Sequence, residues 1–203
     1  NDFESIGHSI AAKHEHAIAD DNDTAAIFAR CKPENLNILH AGKITDGSVI
    51  GCMGAGTGLG LVYLTPTLSS KCGNVTYNVF PSEGGMVDSF SPRNEVEWEL
   101  KQFLMKKHGT YIEIERIVSG PGLADVYRFF LSKYQVQDLD LDTYDDDQQG
   151  AYVSNLAKKL PRTQNNKRTI NAAAMHALDL FLDVYGRALG AAAITLMCFS
   201  GLY

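Results

Sequence analysis

The sequence has few of the features that mark membrane, nucleic-acid-binding or secreted proteins. Its 203 residues include no apolar run near the roughly 20 residues that a membrane-spanning helix needs. Its first residues also lack the pattern of a secretory signal. Acidic side chains outnumber basic ones by 24 to 18, and the net charge of −6 argues against a general nucleic-acid binder. We therefore expect neither a membrane nor a nucleic acid as a partner.

Cysteine is scarce, and its spacing excludes two further classes of protein. Cys31, Cys52, Cys72 and Cys198 are far apart and form no C-x-x-C pair. Neither a zinc ribbon nor a disulfide scaffold fits this spacing. A chain of this length can bury a sizeable core without such cross-links. The sequence therefore predicts a reduced, cytoplasmic compartment.

Both ends of the chain interrupt a structural pattern. Asn1 is not a methionine and stands within a patterned segment, and Tyr203 ends the apolar run 194–203, which we interpret as a buried strand. The backbone groups of a buried strand need partners on both sides. We therefore expect the chain to be part of a longer protein.

Hydrophobic periodicity predicts an α/β fold, and no internal linker separates two domains. Secondary structure is expected as strands at 48–53, 61–64 and 74–80, and as helices at 3–19, 121–134, 148–160 and 169–189. A further helix is expected to be capped by Ser91, to begin at Pro92 and to end before Gly109. In the last helix, Asp183 and Arg187 have the spacing of an i,i+4 ion pair.

A glycine-rich run at 54–60, Gly-Ala-Gly-Thr-Gly-Leu-Gly, separates the first two predicted strands. No Lys-Ser or Lys-Thr follows as in a Walker loop, and the glycine spacing does not match the dinucleotide fingerprint. Consecutive backbone N–H groups in such a turn can still bind an anion, with the Thr57 hydroxyl as a further donor. Side chains at the glycines would block a phosphate. The pattern favours phosphate binding, and a plain hairpin turn is the alternative.

Three carboxylates stand where a ligand could reach them. Glu83 follows a predicted strand, Glu115 precedes Ser-Gly-Pro-Gly at 119–122, and Asp2 lies at the start of the first predicted helix. A carboxylate accepts two hydroxyl hydrogen bonds, as polyol recognition requires. The alternatives are an exposed turn residue for Glu83, a helix start for the corner at Glu115 and an N-cap for Asp2.

Aspartates are also frequent between positions 138 and 147. The spacing of Asp138, Asp140 and Asp142 imitates the start of a calcium loop. The glycine and the glutamate that such a loop requires are replaced by Thr143 and Gln149. We interpret the segment as a solvated acidic loop.

Four segments together resemble the bacterial-type (group A) ATP-dependent glucokinases of the hexokinase/actin-like superfamily. They are Asn-Asp-Phe at 1–3, the glycine run at 54–60, Glu-Gly-Gly-Met-Val-Asp at 83–88 and Glu-Arg-Ile-Val-Ser-Gly-Pro-Gly-Leu at 115–123. They occur in the family's order with similar spacings. The resemblance implies an α/β fold of the ribonuclease-H-like, actin-like ATPase type, with two lobes that close over sugar and ATP. Residues 1–203 resemble the large, C-terminal lobe, truncated at both ends, without the small N-terminal lobe.

The same resemblance implies an activity and a set of site residues. The complete protein would transfer the γ-phosphate of ATP to the 6-hydroxyl of glucose in glycolysis, and the isolated segment would not turn over. Asp2 matches the catalytic base, and the sugar ligands match Asn1, Asp2, Glu83 and Glu115. The loop that binds the ATP phosphates matches Gly56, Thr57 and Gly58. Mg²⁺ would arrive with ATP and keep several waters, without a dedicated protein site. A homodimer is a further implication.

One position departs from the family pattern. The family's usual motif is Glu-Gly-Gly-His, whose histidine binds the sugar, and this sequence has Met86 in its place. A thioether accepts hydrogen bonds poorly and donates none. Met86 therefore lies at the expected glucose site without a useful polar group. An alternative function is a catalytically silent, sugar-binding regulatory protein on the same fold.

Overall fold

The computed structural model describes residues 37–39, 42, 43, 45, 47–68, 75–87, 89–159 and 169–203. Asn1, Asp2 and the helix expected at 3–19 lie outside the described residues. The chain divides into two compact units. The sheet unit takes its described residues from Asn1–Gly54, Gly60–Glu83 and Leu189–Tyr203, and the helical unit takes them from Ala55–Leu59 and Gly84–Ala188.

The described strands form a three-stranded sheet. The strands are β1 (Ile50–Ala55), β2 (Leu59–Leu68) and β3 (Val75–Ser82), and they lie in the order β1-β2-β3. β2 and β3 are antiparallel, in a register that runs from Leu61 opposite Ser82 to Leu68 opposite Val75. The three predicted strands are confirmed, but β2 is longer than expected: it begins earlier because the connecting turn occupies only three residues, and it continues to Leu68 in pairing with β3. The core of the sheet unit consists of Ile50, Cys52, Val62 and Leu64, with Tyr77, Val79 and Tyr203 packed against them.

The end of the chain differs from the expected strand at 194–203. A helix continues to Leu196, and only the last three residues pair with β1. The Gly51 N–H donates to the Gly201 carbonyl at 3.0 Å, and the Tyr203 N–H donates to the Gly51 carbonyl at 3.0 Å. Leu202 forms a parallel bridge with Gly51. The run is therefore not one strand: residues 194–196 end a helix whose preceding alanines at 191–193 favour that conformation, and only the last three residues pair with β1.

Four α-helices follow the strands in the described part of the chain. They are α1 (Glu95–His108), α2 (Gly120–Tyr134), α3 (Asp146–Ala157) and α4 (Ile170–Leu196). Short 3₁₀ turns lie at Gly84–Met86, Ile114–Arg116 and Leu141–Thr143. The positions of α2 and α4 confirm the predicted helices, although α4 continues beyond the predicted end at 189. None of the described helices is long and apolar enough to cross a membrane.

The start of α1 differs from the prediction. Asn94, not Ser91, is the N-cap, and its side-chain oxygen accepts the Glu97 N–H at 2.9 Å. The Glu97 carboxylate in turn accepts the Arg93 N–H at 2.9 Å. The arrangement resembles a capping box, except that Glu97 accepts the N–H of the residue before the cap, and it places the first helical turn after Asn94. The predicted end is confirmed, because Gly109 adopts a positive φ of 92° and donates to Met105.

The acidic segment is more ordered than a solvated loop. The Asp138 carboxylate accepts hydrogen bonds from the Tyr127 hydroxyl at 2.6 Å and from the Tyr152 hydroxyl at 2.9 Å. Burial, and then the bond to Asp138, raises the pKa of both tyrosines far above its ordinary value, so both hydroxyls stay protonated donors. Asp146 and Asp147 form the first turn of α3, where the helix dipole favours negative charge. The interpretation as a solvated acidic loop is therefore wrong for these three residues.

The ion pair predicted within α4 is confirmed. Arg187 lies 3.0 Å from the Asp183 carboxylate, and the same guanidinium lies 3.0 Å from the Glu97 carboxylate of α1. Glu97 is buried, so this second contact joins α1 to α4 inside the helical unit. A lone buried carboxylate would be costly, and the guanidinium offsets that cost.

Candidate functional site

The glycine run forms a three-residue turn between β1 and β2. Within the turn, the Gly56 N–H donates to the Gly58 carbonyl at 2.8 Å. Gly56 and Thr57 are exposed, and a Cβ added at Gly56 would meet no atom within 4 Å. The backbone of the turn is therefore accessible on this side, as close approach by a phosphate requires.

The Glu115 carboxylate lies against the other side of the turn. Its Oε2 accepts the Leu59 N–H at 2.7 Å. A Cβ added at Gly58 would lie 2.5 Å from the same oxygen. A side chain at Gly58 would therefore displace the Glu115 carboxylate from its bond to Leu59. The sequence alone did not predict this contact.

The start of α2 is hydrogen-bonded to the turn. The Gly120 N–H donates to the Gly56 carbonyl at 2.7 Å. Ser119 caps the helix, since its Oγ accepts the Gly122 N–H at 3.0 Å while its hydroxyl donates to the Glu115 carbonyl at 2.8 Å. The positive end of a helix dipole therefore lies beside the turn and favours an anion there, while the N–H groups of Gly120 and Gly122 are themselves bonded within the protein. We call Gly56–Gly58, Glu115 and Gly120 the glycine corner.

The turn Gly84–Met86 packs against the same corner. Gly85 is buried, and a Cβ added there would lie 2.2 Å from the Leu59 carbonyl oxygen, so only glycine fits. The Met86 side chain is 44% exposed, and its main-chain oxygen accepts the Tyr111 hydroxyl at 2.8 Å. The Val87 carbonyl accepts the N–H of Ile114, the residue before Glu115. Met86 and Glu115 are therefore held on adjoining segments.

The described residues contain part of the predicted site. Within the helical unit, the structure brings together Met86, Glu115 and the turn Gly56–Gly58. Glu83 is the exposed residue that directly follows β3, and it belongs to the sheet unit. Asn1 and Asp2 lie outside the described residues, so their predicted roles stay predictions.

A cavity of about 220 Å³ adjoins the glycine corner inside the helical unit. Thr57, Glu115 and Ser119 contribute to one part of its wall. The remaining lining is largely charged or polar and includes Lys107, His108, Arg116, Asp125, Arg128, Asp146 and Gln149. The cavity thus extends from the turn towards a second polar region.

That second region is a cluster of ionic contacts that the sequence did not predict. The side chain of Asp125 is 7% exposed and contacts the Lys107 ammonium, the His108 Nε2 at 2.7 Å and the Arg128 guanidinium at 3.3 Å. Arg128 also donates to Gln149 at 3.0 Å. The one available signal was a carboxylate inside the apolar helix 121–134. We call Lys107, His108, Asp125 and Arg128 the ionic cluster.

The corner and the cavity offer donors for phosphate more than ligands for a bare metal ion. Backbone N–H groups, the Thr57 hydroxyl and a helix start suit a phosphate chain. In the part of the chain that the structure describes, no group of three or more His, Cys, Asp or Glu side chains is arranged to hold a metal ion.

Comparisons with known proteins show the family to which this sequence is similar. A sequence model of the family described as "Glucokinase" matches residues 1–203. The glucokinase of Nostoc punctiforme is 33% identical over 219 aligned residues, which cover 100% of this chain and 59% of that protein. The chain therefore spans a little more than half the length of this relative.

Two solved structures are similar in fold. The glucokinase from an Antarctic psychrotroph has a TM-score of 0.64 at 23% identity, with 100% of this chain and 50% of that chain covered. The glucokinase from Balamuthia mandrillaris in complex with glucose has a TM-score of 0.64 at 22% identity, with 97% and 48% covered. These likenesses confirm the expected α/β, actin-like fold. Because the family model matches every residue from 1 to 203, the chain belongs to the glucokinase family.

Proposed function

We propose that this chain is the larger part of a glucokinase that transfers the γ-phosphate of ATP to the 6-hydroxyl of glucose, producing glucose 6-phosphate and ADP for glycolysis. The glycine corner is the observation that carries the proposal. It combines an accessible glycine turn, a helix start bonded to that turn at 2.7 Å and a carboxylate bonded behind it at 2.7 Å. Family membership and the glucose complex of the Balamuthia relative support the same reading.

The turn would bind the phosphates of ATP. Gly56 leaves the exposed side of the backbone open, Gly58 leaves room for Glu115 behind the turn, and Thr57 adds a hydroxyl donor beside the start of α2. Mg²⁺ bound with ATP would neutralise charge on the phosphates. The protein's own contribution is to align the γ-phosphate and to stabilise the charge that develops during transfer.

The sugar would be held by carboxylates and an amide. We assign Glu83, Glu115, Asn1 and Asp2 to the glucose hydroxyls, with Met86 packing beside them. Glu115 lies next to the phosphate turn, which supports its place between the two substrates. Met86 supplies contact area and no useful hydrogen bond, so the sugar relies on the remaining ligands.

Asp2 would act as the catalytic base. As the 6-hydroxyl oxygen of glucose forms a bond to the γ-phosphorus, the bond between that phosphorus and the β,γ-bridging oxygen breaks. The hydroxyl proton moves to the Asp2 carboxylate, and ADP leaves with the bonding electrons. A positioned carboxylate suits this step because phosphoryl transfer needs mainly alignment and charge stabilisation.

The base assignment is tested by Asp2→Asn in the full-length protein. The amide can still hydrogen-bond the 6-hydroxyl but cannot take its proton, so kcat should fall by roughly 10²–10⁴-fold with little change in the KM for glucose. Asp147→Asn, at an exposed position in α3, is the matched control and should keep the parent kcat. A loss smaller than about tenfold in kcat, with chemistry shown to limit the rate, would refute the assignment.

The remaining proposals concern the setting of the reaction. We propose that residues 1–203 form the large lobe of a two-lobed kinase, that the protein acts in the cytoplasm and that two copies form a homodimer. The partial coverage of each relative supports the first of these. The segment alone should not phosphorylate glucose, because it covers only 50% and 48% of the two solved relatives and a two-lobed kinase needs both lobes to enclose its substrates. Measurable turnover by the purified segment would contradict the lobe assignment.

A sugar-binding regulator without catalysis is the second candidate. Retention of the glycine turn together with Glu115 favours a kinase, because a regulator that only senses sugar needs no phosphate site. An assay for ATP- and glucose-dependent formation of glucose 6-phosphate separates the two. Glucose binding without product, in full-length protein that also binds Mg²⁺–ATP, would favour the regulator.

A further inference from the structure

The Glu115 carboxylate has a structural contact that its expected role does not require. A sugar ligand needs only to face the sugar, yet Oε2 of Glu115 accepts the N–H of Leu59 at 2.7 Å. Leu59 is the first residue after the turn and is 4% exposed. A buried N–H that loses its acceptor is expensive, so this bond helps to fix where the turn ends.

The contacts around this bond form a closed set within the helical unit. Gly58 lies so close to Glu115 that a methyl group there would meet Oε2 at 2.5 Å. Leu59 also packs through its carbonyl against Gly85, and the segment after Gly85 returns to the Glu115 turn through the bond from Ile114 to Val87. A shift of the carboxylate would therefore change the positions of both the turn Gly56–Gly58 and the turn Gly84–Met86.

We propose that Glu115 has a second role, which is to hold the phosphate-binding turn in its binding shape, so that nucleotide affinity depends on this carboxylate even without sugar. The inference rests on the proposed function, because it takes Glu115 as a sugar ligand and Gly56–Gly58 as the phosphate loop. One oxygen is committed to Leu59. The other, Oε1, has no hydrogen bond among the described residues and can accept from a sugar hydroxyl.

Sugar and nucleotide binding are coupled as a consequence. A sugar hydroxyl on Oε1 fixes the rotamer of Glu115, and a fixed rotamer keeps Oε2 on the Leu59 N–H. The second ligand then meets a turn that is already ordered, which gives positive cooperativity without a large structural change. By linkage, the nucleotide must strengthen sugar binding by the same factor.

The test measures the affinity of a non-hydrolysable ATP analogue with Mg²⁺ by calorimetry, in full-length protein without sugar. Glu115→Ala should weaken this affinity at least about fivefold. Glu115→Gln restores an acceptor for the Leu59 N–H and should return it to within about twofold, while glucose binding stays weakened because a charged ligand is lost. Thermal unfolding of each variant checks that the protein is folded.

Two further variants serve as matched comparisons. Glu83→Ala removes another proposed sugar carboxylate and should weaken glucose binding only. Glu113→Ala removes a neighbouring carboxylate that pairs with Arg116 at 2.7 Å, and it should change neither affinity. In the parent protein, saturating glucose should tighten binding of the analogue several-fold, and Glu115→Ala should bring that factor close to one.

The outcomes separate this inference from the function on which it rests. Unchanged sugar-free affinity in Glu115→Ala would show that the residue serves the sugar alone and would overturn the inference. Equal losses in Glu115→Ala and Glu115→Gln would also overturn it, because the bond to Leu59 would then not be the cause. A parent protein that binds neither glucose nor the analogue would refute the proposed function itself.

Discussion

Two polar regions line the same cavity of the helical unit, and they use their hydrogen-bonding groups differently. In the ionic cluster, the Asp125 carboxylate is almost completely buried and is surrounded by three basic side chains. In the glycine corner, Gly56 and Thr57 are exposed, and no atom lies within 4 Å of a Cβ added at Gly56. The charged groups of the ionic cluster are thus paired within the protein, whereas the glycine corner has exposed groups that a ligand can contact.

The difference separates polar groups that stabilise the fold from those that bind. A buried charge must be paired, and its removal leaves its partners uncompensated. An exposed donor is solvated by water, so its loss costs little stability but removes a contact to the ligand. Substitutions in the cluster should therefore change the free energy of unfolding, and substitutions in the corner should change ligand affinity.

Asp125→Ala should have the largest effect. It removes the common partner of Lys107, His108 and Arg128, and we expect the free energy of unfolding to fall by roughly 2–4 kcal/mol. The lower part of that range is favoured because the Lys107 side chain is 44% exposed. Urea unfolding of the full-length protein measures the change, and kcat/KM of the folded fraction should stay near the parent value.

Asp147→Ala, at an exposed position in α3, is the control for that measurement and should alter the unfolding free energy by less than about 0.5 kcal/mol. If Asp125→Ala had the same midpoint of urea unfolding as the parent protein, the cluster would contribute no net stability. If it lost activity while keeping its stability, the cluster would belong to the site, and the comparison between the two regions would fail.

The glycine corner could be predicted from the sequence to a larger extent than the ionic cluster. Glycine spacing indicates a turn by itself, because the glycine run is local in the chain. The ionic cluster joins the end of α1 to the middle of α2, and only tertiary packing brings those positions together. Lys107 lies in the last turn of α1, where a local pattern indicates only a favourable interaction with the helix dipole.

Helix boundaries illustrate the same limit. Ser91 with Pro92 and Asn94 with Glu97 are both reasonable starts for α1, and the sequence cannot rank them. Glu97 gains a further partner in Arg187, at 3.0 Å, from a helix about ninety positions later in the chain. The contact with Arg187 stabilises the helix start at Asn94. It cannot be predicted from the residues near Asn94 in the sequence. The second role of Glu115 was missed for the same reason, because Leu59 lies 56 positions away.

Thr57→Val tests the corner directly and should have an intermediate effect. The substitution keeps the shape of the side chain and removes the hydroxyl, so binding of Mg²⁺–ATP should weaken by roughly 1.5–3 kcal/mol while glucose affinity stays unchanged. Because Thr57 is exposed, the unfolding free energy should change little. Calorimetry with each ligand measures the two affinities, and Thr110→Val, also exposed, is the control. Lost glucose affinity with unchanged nucleotide affinity would contradict the assignment.

Met86→His should have the smallest effect, and it sharpens the comparison at the one position where the sequence departs from the family motif. The Met86 side chain is 44% exposed, and the bond from Tyr111 reaches its main-chain oxygen, so the substitution leaves that bond available. The absence of the family's histidine has two possible consequences. Either the protein binds glucose weakly, or another group or a water has taken over the role of the histidine. No histidine or amide side chain lies within three residues of Met86 in the sequence, which favours the first.

If the protein binds glucose weakly, the new imidazole should tighten glucose binding by the net value of one hydrogen bond, roughly 0.5–1.5 kcal/mol, or about two- to tenfold in Kd. Val87→His places the same group one position further along, at a residue that is 51% exposed, and should give no gain. Glucose titration of the two full-length variants against the parent decides the matter. If Met86→His bound glucose no tighter than the parent, another group would already replace the histidine. Fewer groups of the glycine corner would then be available to a ligand than its exposed backbone indicates.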